Sequence, residues 1–208
     1  MLNTLKNNKN LDFRVYEYGR ALADYNSEKS TCLFNRRVSS IFKDAKYSSP
    51  VSKYESRELF FRTDTLHQKD NILNSNGFVD LKKLFSEYPE RILLVGQGLT
   101  YGDELDSTIK ILNTKNSYFR VPSGHSGAFV KMLMQDKVDY ILEYKISFDA
   151  LDIDASKYSS LKISNEEYTT GHLVCNYITP DEVIKIYEDA IIENSSEIFT
   201  LKKKFKLM

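Results

Sequence analysis

The sequence predicts an α/β fold built mainly on parallel sheets flanked by helices. Three observations carry this. Residues 11–34 run strand, helix, strand; residues 91–144 repeat the alternation as β-α-β-α-β; and an amphipathic helix over 179–194 follows another strand-like run. The chain has 208 residues and is 41% hydrophobic, with 14 Tyr and 12 Phe. That is enough for one large domain or two small lobes with a real core.

Each element has its own warrant. "LDFRVYEY" (11–18) alternates, with Leu11, Phe13 and Val15 inward, so it reads as a strand. Gly19 breaks it, "RALADYNSEK" reads as a short helix, and "STCLF" as the next strand. Such a strand–helix–strand unit favours a parallel pair. Residues 35–50 form a polar loop with some helical character, and "RELFFRTD" (57–64) is a strand. "GFVDLKKLFSEYP" (77–89) is a helix ended by Pro89, with Val79, Leu81, Leu84 and Phe85 on its apolar side. Ile92 to Val95 is a buried strand, followed by a helix with Leu105, Ile109 and Leu112 on one face. "SYFRV" (117–121) is a strand, Pro122-Ser123-Gly124 a turn, and 126–137 a helix burying Phe129, Met132 and Leu133. "VDYILEY" (138–144) is the next strand, and 158–178 is strand-like at both ends. In the helix 179–194, Thr179 caps, Pro180 suits the first turn and Glu182 completes a capping box. A last helix, about 196–205, ends in Lys202, Lys203 and Lys204, a solvated helix end.

Charge and cysteine usage narrow the function. Lys plus Arg equals Asp plus Glu at 29 each, which argues against a general nucleic-acid binder. No apolar run reaches the length of a membrane span, and "MLNTLKNNKN" holds no signal-type apolar stretch. Taken alone, the chain as given reads as cytoplasmic. Cys32 and Cys175 both sit in apolar strand-like runs; the preferred reading is two buried thiols, with a disulfide open in an oxidising compartment. His67, His125 and His172 are isolated, so no metal is expected. "GHSGAF" departs from the nucleophile-elbow pattern because Gly127 follows Ser126 at once, and no catalytic residue is expected.

"VGQGLTYGDELD" (95–106) has the strand–glycine–helix layout of a phosphate loop. A dinucleotide loop wants glycine at its first, third and sixth positions; from Gly96 the sixth is Tyr101. No Gly-Lys-Ser/Thr follows, so a P-loop fails too. No cofactor is expected. Thr100 and Asp103 instead form a capping-box pattern, and free N–H groups at the helix start could hold a polar group. Ser123 to Ser126 start a second helix after a strand, with His125 read as an exposed loop residue. Glu143 and Tyr144 end the next strand. Strand carboxyl ends face the binding crevice of a parallel sheet, so Gln97, Gly98, Thr100, Tyr101, Ser123, Glu143 and Tyr144 are candidate ligand contacts. Arg36 and Arg37 follow the strand "STCLF" and could clamp a carboxylate, or be surface charge.

The order of these pieces resembles family 3 solute-binding proteins of ABC transporters, the amino-acid-binding type. "STCLF" followed by Tyr47-Ser48-Ser49-Pro50 and "RELFFR" is similar to that family's first-lobe segment and crossing strand. "GQGLTYGDELD", "GAFVKMLMQDKVDYILEY" and "ISNEEYTTGHLVCNYITPDEVIKIYEDAI" resemble its second-lobe turn, helix–strand stretch and return segment. The resemblance implies two α/β lobes of type II binding-protein architecture closing over a small polar solute. Lobe 1 would be 1–61 plus 166–208, lacking the family's signal and first strand–helix unit. Lobe 2 would be 62–165, with hinge strands at its ends. The implied role is non-catalytic solute binding by a periplasmic monomer that serves an ABC permease. A ligand-sensing or orphan solute-binding-like domain not coupled to transport is the alternative, and an enzyme acting on a phosphorylated substrate a third reading. Two departures matter. The family's carboxylate-gripping arginine falls near Ile41, leaving Arg36 or Arg37 as substitutes. Its acidic residue falls at Tyr144, with Glu143 one place earlier on the other face of the strand. The resemblance therefore does not fix the solute as an ordinary α-amino acid.

Overall fold

The computed structural model of the chain describes residues 11–12, 14–16, 18–65, 70–112, 114–121, 127–164 and 166–196. In chain order the elements are α1 (Tyr18–Tyr25), β1 (Cys32–Arg36), β2 (Lys46–Tyr47), β3 (Ser52–Glu55), β4 (Glu58–Arg62), α2 (Leu81–Glu87), β5 (Leu93–Gly96), α3 (Asp103–Ile111), β6 (Ser117–Arg120), α4 (Ala128–Met134), β7 (Tyr140–Glu143), α5 (Lys145–Asp149), β8 (Tyr158–Lys162), β9 (Tyr168–Cys175) and α6 (Asp181–Glu193). They divide into two units: Met1–Tyr54 with Tyr168–Met208, and Glu55–Glu167. The expected boundaries at 61/62 and 165/166 thus move outward. β4 belongs with the second unit because both its ladder partners, β7 and β8, lie there.

The second unit is the β-α-β-α-β region with two flanking strands. Its sheet runs β6-β5-β7-β4-β8; β5 is parallel to β6 and β7, and β4 is antiparallel to β7 and β8. β5 is buried at every position, as its unbroken apolar run requires. Strand parity splits the core. Leu59, Phe61, Tyr140 and Leu142 pack with Leu84, Phe85 and Ile109 on one face. Phe60, Leu94 and Ile141 pack with Val130, Leu133 and Phe148 on the other. Each fully buried side chain of this size is worth about 1.5–3 kcal/mol. α2 starts later than the pattern predicts: Val79 forms a bridge with Leu73, and Asp80 then caps the helix by accepting from the Lys82 and Lys83 N–H groups.

The first unit departs more from expectation. Among the described residues, Leu11 to Tyr16 form no strand; Arg14 bonds instead to its close neighbours Asp12 and Tyr16. The predicted parallel opening pair is therefore absent from the described residues. β1 pairs antiparallel with β9, and so does β2 on the other side of β9. The loop 35–50 contains β2 and no helix. The register sets Cys32 directly opposite Cys175, and the two form a disulfide, correcting the preferred reading of free thiols. Nothing in either local run announces the pairing, which needs the ladder. α6 also differs at its start. Pro180 stands at the cap with no side-chain bond, and the Thr179 hydroxyl donates to Asn176 Oδ1 at 2.7 Å instead of capping. The expected last helix beyond Ser196 lies outside the described residues.

Candidate functional site

The turn between β5 and α3 is built by its own side chains. Gly98 has a φ of +79°, suited to the third position of a turn closed by the Leu99 N–H on the Gly96 carbonyl. The Tyr101 ring folds back beneath this turn, and its hydroxyl accepts from the Gly96 N–H at 2.8 Å. A Cβ at position 96 would meet the Leu99 side chain at 2.4 Å and the Tyr101 hydroxyl at 3.2 Å, so a larger residue there must push Leu99 aside. Burial pushes the Tyr101 phenol up to about 12, against a smaller downward pull from Arg57.

The expected capping box does not form. Gly102 is the cap of α3, with a φ of +109° and no side-chain bond. Asp106 instead reaches back one turn: it accepts from the Thr100 hydroxyl at 2.6 Å and from the Tyr101 N–H at 2.9 Å. A carboxylate has more acceptor sites than a hydroxyl and can hold both groups at once. The N–H groups of Gly96, Gln97, Leu99, Tyr101 and Gly102 are all taken within the protein. Asp103, Glu104 and Asp106 also put negative charge in the first turn of the helix. Five N–H groups of the turn are thus engaged within the protein.

A residue missed in the sequence completes the site. Arg57, one place before β4, donates from Nη1 to the Thr100 carbonyl at 2.7 Å. Its guanidinium carbon lies 4.8 Å from the centre of the Tyr101 ring and 4.5 Å from that of Tyr144, both within cation–π range. The cause is register. Glu58 pairs with Glu143, so one step outward Arg57 meets Tyr144, on the face that carries Leu59, Leu142 and Tyr101.

The candidate residues now sort by place. Thr100, Tyr101 and Tyr144 come together around Arg57. Gln97 and Gly98 form the exposed tip of the same turn. Glu143 lies on the opposite face of the sheet, across from Glu58, and accepts from the Tyr144 N–H. Arg36 and Arg37, both half-buried, belong to the first unit. There a bulge sets Phe34 and Asn35 against a single β9 residue, with Asn35 at a φ of +58°, and leaves Arg36 opposite His172. Ser123 and His125 lie outside the described residues. No signal in "SRELFF" marks Arg57, because only pairing with β7 brings it to the tyrosines.

No protein-family model matches the chain, and no curated protein matches it in sequence. Solved structures do match. An arginine-specific periplasmic binding protein of Salmonella typhimurium is 9% identical with a TM-score of 0.64, over 98% of this chain and 85% of that one. An amino-acid ABC transporter substrate-binding protein of Streptococcus pneumoniae, bound to L-arginine, is 12% identical with a TM-score of 0.64, over 99% and 83%. The chain has the fold of the two-lobed periplasmic binding proteins. A histidine kinase sensor domain shares this fold at 11% identity and a TM-score of 0.63, over 93% and 77%. Identities this low carry the fold alone.

Proposed function

We propose that this chain binds a small polar solute without transforming it. The wall made by Thr100, Tyr101, Tyr144 and Arg57, with Gln97 and Gly98 at its tip, supplies contacts from the second unit, and Arg36 and Arg37 are candidates in the first. One observation carries the reading. In the binding-protein fold, a turn braced by its own side chains stands at the carboxyl end of a buried parallel strand, where open α/β sheets bind ligands. Side chains held this firmly lose little freedom when a solute docks, which favours binding.

The solute would then pass to an ABC permease, and the protein would work as a periplasmic monomer. The Cys32–Cys175 disulfide supports an oxidising compartment. A second reading, a sensory domain feeding a receptor, is favoured by the sensor domain among the proteins of this fold. Calorimetric titration against amino acids, organic acids and oligosaccharides tests solute binding, and heat from none of these classes sinks it. Pull-down by a permease encoded beside the gene separates transport from sensing.

A further inference from the structure

Two tyrosine faces that converge on one point make a cation cage, and here the protein's own guanidinium occupies it. Arg57 sits 4.8 Å from one ring centre and 4.5 Å from the other. It is further held by its bond to the Thr100 carbonyl. Three acidic groups on the surrounding elements have partners of their own. Asp106 is engaged by Thr100 and Tyr101, Glu143 by the Tyr144 N–H, and Glu58 by the Ser160 hydroxyl across β4–β8.

We propose that Arg57 is a specificity-determining residue: an internal cation that fills the Tyr101–Tyr144 cage and bars guanidinium- and ammonium-bearing groups from this wall. An incoming cation must displace a tethered one and meets its charge. A neutral or acidic polar group meets a positive, planar donor instead. The solutes are then neutral or acidic, in contrast to the arginine held by the Streptococcus pneumoniae protein of this fold. This consequence rests on the solute-binding reading, whereas the cage itself does not.

Arg57→Gln and Arg57→Ala proteins, with wild type beside them, are titrated by calorimetry with ethylguanidinium and with L-arginine. Glutamine removes the charge and empties the cage while keeping a polar side chain at position 57. The cation–π contribution predicts about tenfold tighter binding of both probes by the variants than by wild type. Adding Tyr144→Ala to either variant removes the gain. Folded variants that bind the probes no more tightly than wild type overturn the proposal. So does a wild type that takes L-arginine as tightly as its best neutral or acidic solute. A wild type that binds no solute, beside variants that gain ethylguanidinium, overturns the solute-binding reading and leaves the cage standing.

Discussion

The two units solve the same problem by different means. The second has apolar side chains on both faces of a five-stranded sheet, with Leu59, Leu94, Leu133 and Ile141 fully buried. The first packs smaller clusters around β9: Leu173, Tyr187 and Ala190 on one side, and Tyr25, Leu33, Phe42 and Val174 on the other. It adds a disulfide and a set of polar ties. Ser48 accepts the ring Nδ1–H of buried His172 and donates nothing to it; its hydroxyl takes the Leu173 N–H. The Asn176 side chain holds the Tyr25 and Lys29 carbonyls. The Ser52 hydroxyl donates to Asn35 Oδ1 across Gly171, where a Cβ would meet that oxygen at 1.9 Å. Where apolar burial is thin, specific bonds and a covalent link take over.

The largest test of this contrast is the disulfide. Its ends are 143 residues apart in sequence, and a closure this long is worth about 5 kcal/mol in the chain-entropy account. Replacing Cys32 and Cys175 by serine should loosen the first unit while the second stays protected, as hydrogen exchange resolved by unit will report. Similar exchange rates in both units would dissolve the distinction.

Next comes a change in the other unit. Leu94→Ala should cost about 3 kcal/mol in denaturant unfolding, because a fully buried side chain leaves a cavity. A loss below about 1 kcal/mol would mean that this core repacks freely.

Gly171→Ala should cost the first unit about 1–2 kcal/mol by breaking the Asn35–Ser52 bridge. Much of that cost should vanish in an Asn35→Gly background. Additive costs in the double-mutant cycle would show that the bridge does not mediate the effect. Asp106→Asn should lower stability by about 1 kcal/mol and weaken solute binding, since a neutral amide oxygen replaces one carboxylate acceptor and an NH₂ the other. Unchanged affinity would remove the turn from the binding site.

The smallest effect at neutral pH belongs to Tyr101. Its phenol is raised from 10.0 to about 12 in the folded protein. The folded state holds this proton more tightly, so the associated stability is fully present below pH 10 and is lost as pH rises towards 12. Tyr101→Phe should flatten that part of the alkaline stability curve. Ultraviolet titration of tyrosinate should show one late-ionising group disappear with the substitution.

Much of the second unit was legible because its signals are local. The Ile92–Val95 run, the spacing of Leu105 and Ile109, and the Phe129–Leu133 face each announce an element through side-chain period alone. The first unit was harder. "LDFRVYEY" alternates like a strand, yet alternation provides no partner, and the described residues there find none. Thr100 and Asp103 have capping spacing, but Asp106 one turn later reaches both groups that need an acceptor.

By itself the sequence determined where the β-α-β-α-β elements of the second unit form, that nucleotide loops are incomplete, and which turn ends the buried strand. Only tertiary structure decided that Cys32 meets Cys175 and that Arg57 lies between two tyrosines. The physical reason is the same in each case. Helix and strand periods are written in neighbouring residues, whereas these meetings depend on ladder register and chain fold-back across 43 or more residues, which no local pattern encodes.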